Sequence, residues 1–230
     1  MTSITQHNWI EELEGRIADR HVLKHPFYQA WNEGTLSLAA LQDYAAQYYH
    51  HVSAFPTYLS AVHSNTADAD ARRTLLGNLM DEEAGSPNHP ELWLQFAEGL
   101  GVPADNVKNT PAYPETAALV NTFQDICRNQ PFTDGIAALY AYESQVPEVA
   151  QSKIDGLRAH YSVNDSPTLA YFNVHIAADE AHRAEELALL TQHVRTEGQE
   201  QGALNAAGRS LDAVWNLLSG VCHRHGVVCA

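Results

Sequence analysis

Lysine is scarce in this chain: three residues in 230, at Lys24, Lys108 and Lys153. Lysine and arginine together number 13 against 28 aspartates and glutamates, a formal net charge of −15. An acidic surface of this kind repels a phosphate backbone and an anionic lipid face, so neither nucleic acid nor a membrane is expected as partner. Cysteine is sparse too. Cys127, Cys222 and Cys229 are an odd three, which does not make a disulfide framework. The first residues, Met1-Thr-Ser-Ile-Thr-Gln-His-Asn, carry no basic leader ahead of an apolar stretch. These features predict a reduced, cytoplasmic protein. No run of about 18 apolar residues occurs, so no transmembrane helix is expected. No segment alternates with period two and no internal repeat is present, which leaves helices.

What is present is a helical, globular chain, 45% apolar, with 13 histidines. Ile10, Leu13, Ile17 and Val22 place an amphipathic helix over Trp9 to Leu23. Pro26 suits the first turn of a second helix that ends at Gly34. Ser37 caps a long third helix from Leu38, with Pro56 as a kink. Further helices are predicted from Ala69 to Glu83 and from His89 to about Gly99. Three prolines make Val102 to Pro114 a connector, followed by a helix from Glu115 to Arg128. A long helix is expected from Phe132 to Tyr161, kinked at Pro147. One more begins at Ser166-Pro167 and the last covers Thr196 to Ser219. The reading is an all-α single domain over 1–219 with about seven or eight helices, and an irregular tail over 220–230.

The stretch richest in chemistry is His175-Ile-Ala-Ala-Asp179-Glu-Ala-His182. Its two imidazoles and one carboxylate stand at i, i+4 and i+7, within a sector of roughly 60° on one helix face. Such groups ligate iron, manganese or zinc. Glu180, Arg183, Glu185 and Glu186 point instead to a wet stripe, and the octet alone leaves both readings open. Two other segments add candidates. Glu82 sits at a helix C-terminus, where the macrodipole disfavours a carboxylate, and His89 opens the next helix. Glu143 is a lone carboxylate in the apolar run Ala137-Ala-Leu-Tyr-Ala-Tyr142-Glu143, where it needs exposure, protonation or a partner. Glu82, His89, Glu143, His175, Asp179 and His182 together suit two first-row metals. A pair of Glu-x-x-His motifs, as in ferritin-like proteins, is missing; Asp179-x-x-His182 is a partial analogue.

Five motifs resemble one family: Phe55-Pro-Thr-Tyr-Leu-Ser-Ala-Val-His63-Ser, Asn78-Leu-Met-Asp-Glu-Glu83, Asn88-His-Pro-Glu-Leu-Trp93, Ala137 through Pro147, and His175 through His182. They are similar to the CADD family, a branch of the haem-oxygenase-like, TenA/PqqC-like helical proteins. The resemblance runs from the first helix to the last. It implies a seven-helix bundle around a dimetal site of iron and/or manganese, often in a homodimer, with the six residues above as ligands. The implied activity is para-aminobenzoate synthesis for folate without chorismate, using O2 and an external reductant. The implied substrates are the protein's own side chains. Tyr28 matches the tyrosine that supplies the ring, and Lys153 the lysine implicated in supplying the amino group.

The chemistry is coherent with that. Breaking a carbon–carbon bond of tyrosine is beyond acid–base side chains, whereas a reduced dimetal site can activate O2 and oxidise a nearby phenol. Burial near cationic metals would keep a lysine neutral and nucleophilic. Tyr44, Tyr142 and Tyr171 are candidates to relay an electron or hold a tyrosyl radical, though most tyrosines of such a protein are packing residues.

Four other readings fit less well. A TenA-like thiamin hydrolase needs a pocket cysteine where this chain has Tyr142-Glu143. A PqqC-like oxidase acting on an external molecule needs basic residues that are rare here. A haem oxygenase needs a proximal histidine, for which His21 and His25 are the candidates, and would leave the ligand set unexplained. A non-enzymatic helical interaction module is the last, and no feature of the sequence supports death-domain binding.

Overall fold

The computed structural model describes residues 3–228, and their side chains from Trp9 onward; Cys229 lies outside the described residues. The order is α1 (Ser3–Asp19), a 3-10 turn (Val22–Lys24), α2 (Pro26–Asn32), α3 (Leu38–Ser64), α4 (Ala69–Glu83) and α5 (His89–Gly99). It continues with α6 (Ala104–Asn109), α7 (Pro114–Asn129), α8 (Phe132–Glu143), α9 (Val146–His160), α10 (Ser166–His193) and α11 (Glu197–Arg224). The all-α expectation is met, but with eleven α-helices among the described residues rather than seven. No described helix is long and apolar enough to cross a membrane.

Local signals explain most boundaries. The Ser37 hydroxyl accepts from Ala40 N at 3.1 Å and starts α3. The Asn88 side chain accepts from Glu91 N, and the Glu91 carboxylate accepts from Asn88 N, a capping box that opens α5. His21 and His25 are caps as well, their Nδ1 atoms accepting from Leu23 N and Phe27 N, and His25 Nε2 is engaged by the Ser219 hydroxyl at 3.0 Å.

Four boundaries differ from the sequence expectation. The first helix ends at Asp19 rather than Leu23, and a separate 3-10 turn over Val22–Lys24 follows. Pro147 does not kink one long helix; the chain breaks at Ser144-Gln145 and restarts as α9 with Pro147 in its first turn. Proline lacks the N–H that would continue the helix ladder, and at the break the Gln145 side chain donates to Ala141 O at 2.7 Å and accepts from Val22 N at 2.9 Å. The connector after Val102 contains the short α6. The last helix continues past Ser219, because Gly220 is there for close approach. A Cβ at Gly220 would lie 2.9 Å from the Glu115 side chain on α7, and Glu115 in turn pairs with Arg224 at 3.1 Å.

The central helix is α8. All its residues from Thr133 to Ala141 are buried, and it packs between α10, α11, α7 and α3. Helix α10 lies against α9, α5 and α8. Two contacts seat α9 on α2: the Trp31 indole donates to Lys153 O at 3.3 Å, and Gly156 admits the Trp31 ring where a Cβ would come within 2.5 Å. That close approach places Lys153 opposite Tyr28.

Candidate metal centre and tyrosine chamber

Six side chains from four helices converge in two groups. Glu82 (end of α4), His89 (start of α5) and His175 (α10) form one; Glu143 (end of α8), Asp179 and His182 (α10) form the other. All six are buried, and within each group the donor atoms lie within 4.8 Å of one another. His89 Nδ1 is 2.9 Å from Glu82 Oε1, and His182 Nδ1 is 3.3 Å from Glu143 Oε1 and 3.4 Å from Asp179 Oδ1. Yet neither nitrogen makes a hydrogen bond, and Glu143 Oε2 and Asp179 Oδ2 are also unpartnered. The atoms are close but aimed at common points rather than at each other. Cis donors on an ion at about 2.1 Å stand about 3 Å apart, which these distances approach.

The outer contacts set the tautomers. His175 Nδ1 donates to Tyr171 O at 2.7 Å, turning Nε2 inward, 4.0 Å from Glu82 Oε1. His182 Nε2 meets Asp81 Oδ2 at 3.1 Å, which leaves Nδ1 facing the site. Asn78, buried on α4, donates to Glu143 Oε1 at 3.2 Å. Neighbours of this kind orient metal-binding groups.

Electrostatics agree with the geometry. Burial, and then the Glu143 and Glu82 carboxylates, raise the Asp179 carboxyl to about 7, against the pull of His182. Burial also raises Glu82, partly offset by His89. At His182 burial lowers the imidazole, but Asp179, Glu143 and Asp81 outweigh it and the net shift is upward. A buried cluster of carboxylates with no lysine or arginine among its ion pairs calls for protons or cations. Two ions, each with mixed nitrogen and oxygen donors, fit it.

Glu186 corrects the sequence reading. It was grouped with the wet stripe, but it is only 2% exposed, and both its oxygens are unpartnered. Its signal was visible: it stands four residues after His182, on the ligand face. Glu180, Arg183 and Glu185 are exposed as expected. Burial, then the Glu143 and Asp179 carboxylates, push the Glu186 carboxyl well up. The folded chain therefore keeps a proton that the unfolded chain loses above about pH 4.3, and stability falls as pH rises beyond that point. Metal-free Glu186→Gln should match the unsubstituted protein near pH 4 and melt progressively higher toward pH 8, by about 2–4 °C per kcal/mol relieved. Thermal melts across pH test this; parallel curves would refute it.

A second chamber adjoins the first. The Tyr28 and Tyr44 hydroxyls are 2.9 Å apart, as are those of Tyr48 and Tyr142 at 2.8 Å, and the Tyr44 and Tyr48 rings pack at 5.1 Å. Lys153, 5% exposed, ends 5.5 Å from the centre of the Tyr28 ring. A cavity of about 30 Å³ touches Tyr28, Tyr48, Tyr142, Lys153 and Tyr171. Tyr142 and Tyr171 also line the small cavity bordered by Glu82, Glu143, His175 and Asp179, so these two rings are the shared wall. Tyr48 was not among the sequence candidates, because only the packing of α3 on α8 reveals its bond to Tyr142. Burial holds the Tyr28, Tyr44, Tyr142 and Tyr171 phenols well above their usual range and the Lys153 amine down at about 7. A surface depression of about 690 Å³ on the outer face of α9 and α10 is bordered by none of the six.

Residues 42–215 match the family model described as "Iron-containing redox enzyme". The chain is 44% identical to a 4-aminobenzoate synthase of Nitrosomonas europaea, covering 96% of this chain and 92% of that protein. It is likewise 44% identical to a 4-aminobenzoate synthase of Chlamydia pneumoniae, over 92% and 94%. Its fold is shared by a TenA homolog from Pseudomonas syringae pv. tomato, with a TM-score of 0.82 at 18% identity, covering 94% and 93%. With buried carboxylate–imidazole groups fit for two ions, and likeness along nearly its whole length, the chain belongs to the iron-containing redox enzymes and, within them, to the 4-aminobenzoate synthase family.

Proposed function

We propose that this protein forms 4-aminobenzoate from its own side chains, taking the ring from Tyr28 and the amino group from Lys153, with O2 and an external reductant. The observation that carries the reading is the size of the chamber. About 30 Å³ beside Tyr28 and Lys153 has room for a water or a diatomic molecule. Pockets for external small molecules are usually some 300–1,000 Å³. A free aromatic substrate has no space there, whereas the Tyr28 ring already forms part of its wall.

Glu82, His89 and His175 would hold one ion and Glu143, Asp179 and His182 the other, iron or manganese in either place. When bound, the pair supplies the capacity to reduce O2 and oxidise a phenol. The chain's residues do the rest. Buried aromatic walls exclude water. Across the Tyr48–Tyr142 and Tyr28–Tyr44 hydrogen bonds a phenol can pass its proton to the partner oxygen once that partner has given up its own. The tilted packing of Tyr44 on Tyr48 joins the two pairs, so that Tyr44, with Tyr142 and Tyr171, links the metal chamber to Tyr28. Lys153, partly neutral near pH 7, offers a nitrogen lone pair beside that ring. The same reading makes the protein a cytoplasmic homodimer that serves folate synthesis.

Peptide and intact-mass analysis after aerobic reaction with iron and a reductant tests it. Loss of mass confined to Tyr28 and Lys153, in step with product formed, is expected. A chain of unchanged mass that accumulates product would mean an external substrate.

A further inference from the structure

The Lys153 amine has an unusual setting. Its Nζ lies 5.5, 5.4, 5.2, 5.4 and 5.3 Å from the ring centres of Tyr28, Tyr44, Tyr48, Trp93 and Phe172. Five nearly equal distances, to rings from α2, α3, α5 and α10, put the nitrogen at the centre of an aromatic cage. No carboxylate pairs with it among the described residues; the titratable groups around it are Tyr28, Tyr44, Tyr48, Tyr142, Tyr171 and His175. The phenols are shifted up by burial and so are neutral near pH 7.

Two walls of the cage are not tyrosines. Trp93 is fixed independently of the lysine: its indole N–H donates to Ala45 O at 2.7 Å, and its ring packs on Tyr48 at 5.0 Å, Phe96 at 5.1 Å and Tyr171 at 4.8 Å. Phe172 is braced edge-on by Phe96 at 4.8 Å. Neither ring carries an ionisable group, so neither has a part in proton transfer.

We propose that Trp93 and Phe172 are positioning residues that close this cage and hold the Lys153 amine over the Tyr28 ring. The cage stands on geometry; the use made of the amine rests on the function proposed above. A lysine side chain has four rotatable carbons and no hydrogen bond here to direct it, so the surrounding walls must fix its end. Ring faces attract the ammonium form, while loss of water favours the neutral amine. Burial lowers the amine to about 7. A nitrogen displaced by about 1 Å from its target costs on the order of a hundredfold in rate.

The chain has only three lysines, so the full-length protein with 13Cε-labelled lysine and diamagnetic zinc gives three readable signals. Lys153→Arg identifies the one that belongs to Lys153. Ring currents should displace that signal upfield of Lys24 and Lys108. In Trp93→Leu the displacement should shrink by well over one ring's share, as the amine leaves the cage, and Trp93→Phe should restore most of it. Iron-loaded Trp93→Leu, with metal content unchanged, should form product about a hundredfold more slowly. A folded Trp93→Leu that loses only one ring's share and makes normal product overturns the proposal. Phe172→Leu is read in the same way should Trp93→Leu not fold. A shift that collapses as expected, in a protein whose unsubstituted form loses no mass at Tyr28, would keep the cage and sink self-sacrifice. Mass loss at Tyr28 with an unmoved shift would do the reverse.

Discussion

Tyr28→Phe should fold, load metal in normal amounts, and make no 4-aminobenzoate. The substitution keeps the ring in its place, fully surrounded by Phe27, Trp31 and Tyr44. It removes one hydroxyl, whose recorded bond is to Tyr44 at 2.9 Å. Leaving the buried Tyr44 hydroxyl without that partner costs about 1–3 kcal/mol, which a domain of this size survives. What disappears is the phenol itself. Phenylalanine has no hydroxyl proton to release, so its ring resists oxidation, and without that step its side-chain bond stays intact. Chromatography for product, with intact mass before and after aerobic reaction, measures the outcome. Normal product from Tyr28→Phe would show that another ring is consumed. Tyr44, with its own ring 5.4 Å from Lys153 Nζ, would be the first to examine.

Glu143→Ala and His175→Ala should each abolish metal loading and product together. They belong to different groups, yet both side chains border one cavity and the same buried excess of acid. Removing Glu143 would take an oxygen donor from the group it forms with Asp179 and His182, and strip Asn78 of its acceptor. Removing His175 leaves Glu82 and His89 as the two remaining protein donors of the other group. Each ion would neutralise carboxylates that burden its neighbour's site, so losing one should weaken the second. Elemental analysis after reconstitution should fall from two ions per chain to near zero. Two ions retained in either variant would remove that residue from the proposed ligand set.

Much of this was readable before any coordinates. The octet carried its own geometry: i, i+4 and i+7 place three side chains on one helix face whatever the tertiary structure. Glu143 announced itself by the cost of a carboxylate in an apolar run. Ser37 and Pro26 marked helix starts because capping and proline stereochemistry are local. The break at Ser144-Gln145 was not readable as a break, since a proline permits either a kink or a restart. The choice fell to Gln145, whose bonds reach Val22, far away in the chain. Gly220 misled for a similar reason. It serves α7, not the helix end. Glu186 was misjudged because its chain neighbours Arg183 and Glu185 are exposed, although its place four residues after His182 puts it on the buried ligand face.

Sequence alone, then, determined the helical class, the family, and the residue types capable of holding two ions, since these rest on local periodicity and on motifs contiguous in the chain. Tertiary structure decided what those residues meet. It sorted six candidates into two groups of three, made Tyr142 and Tyr171 the wall between two chambers, and closed five rings from four helices around Lys153. Such arrangements depend on contacts between residues that lie up to a hundred or more positions apart. Packing sets those distances, and no local pattern encodes them.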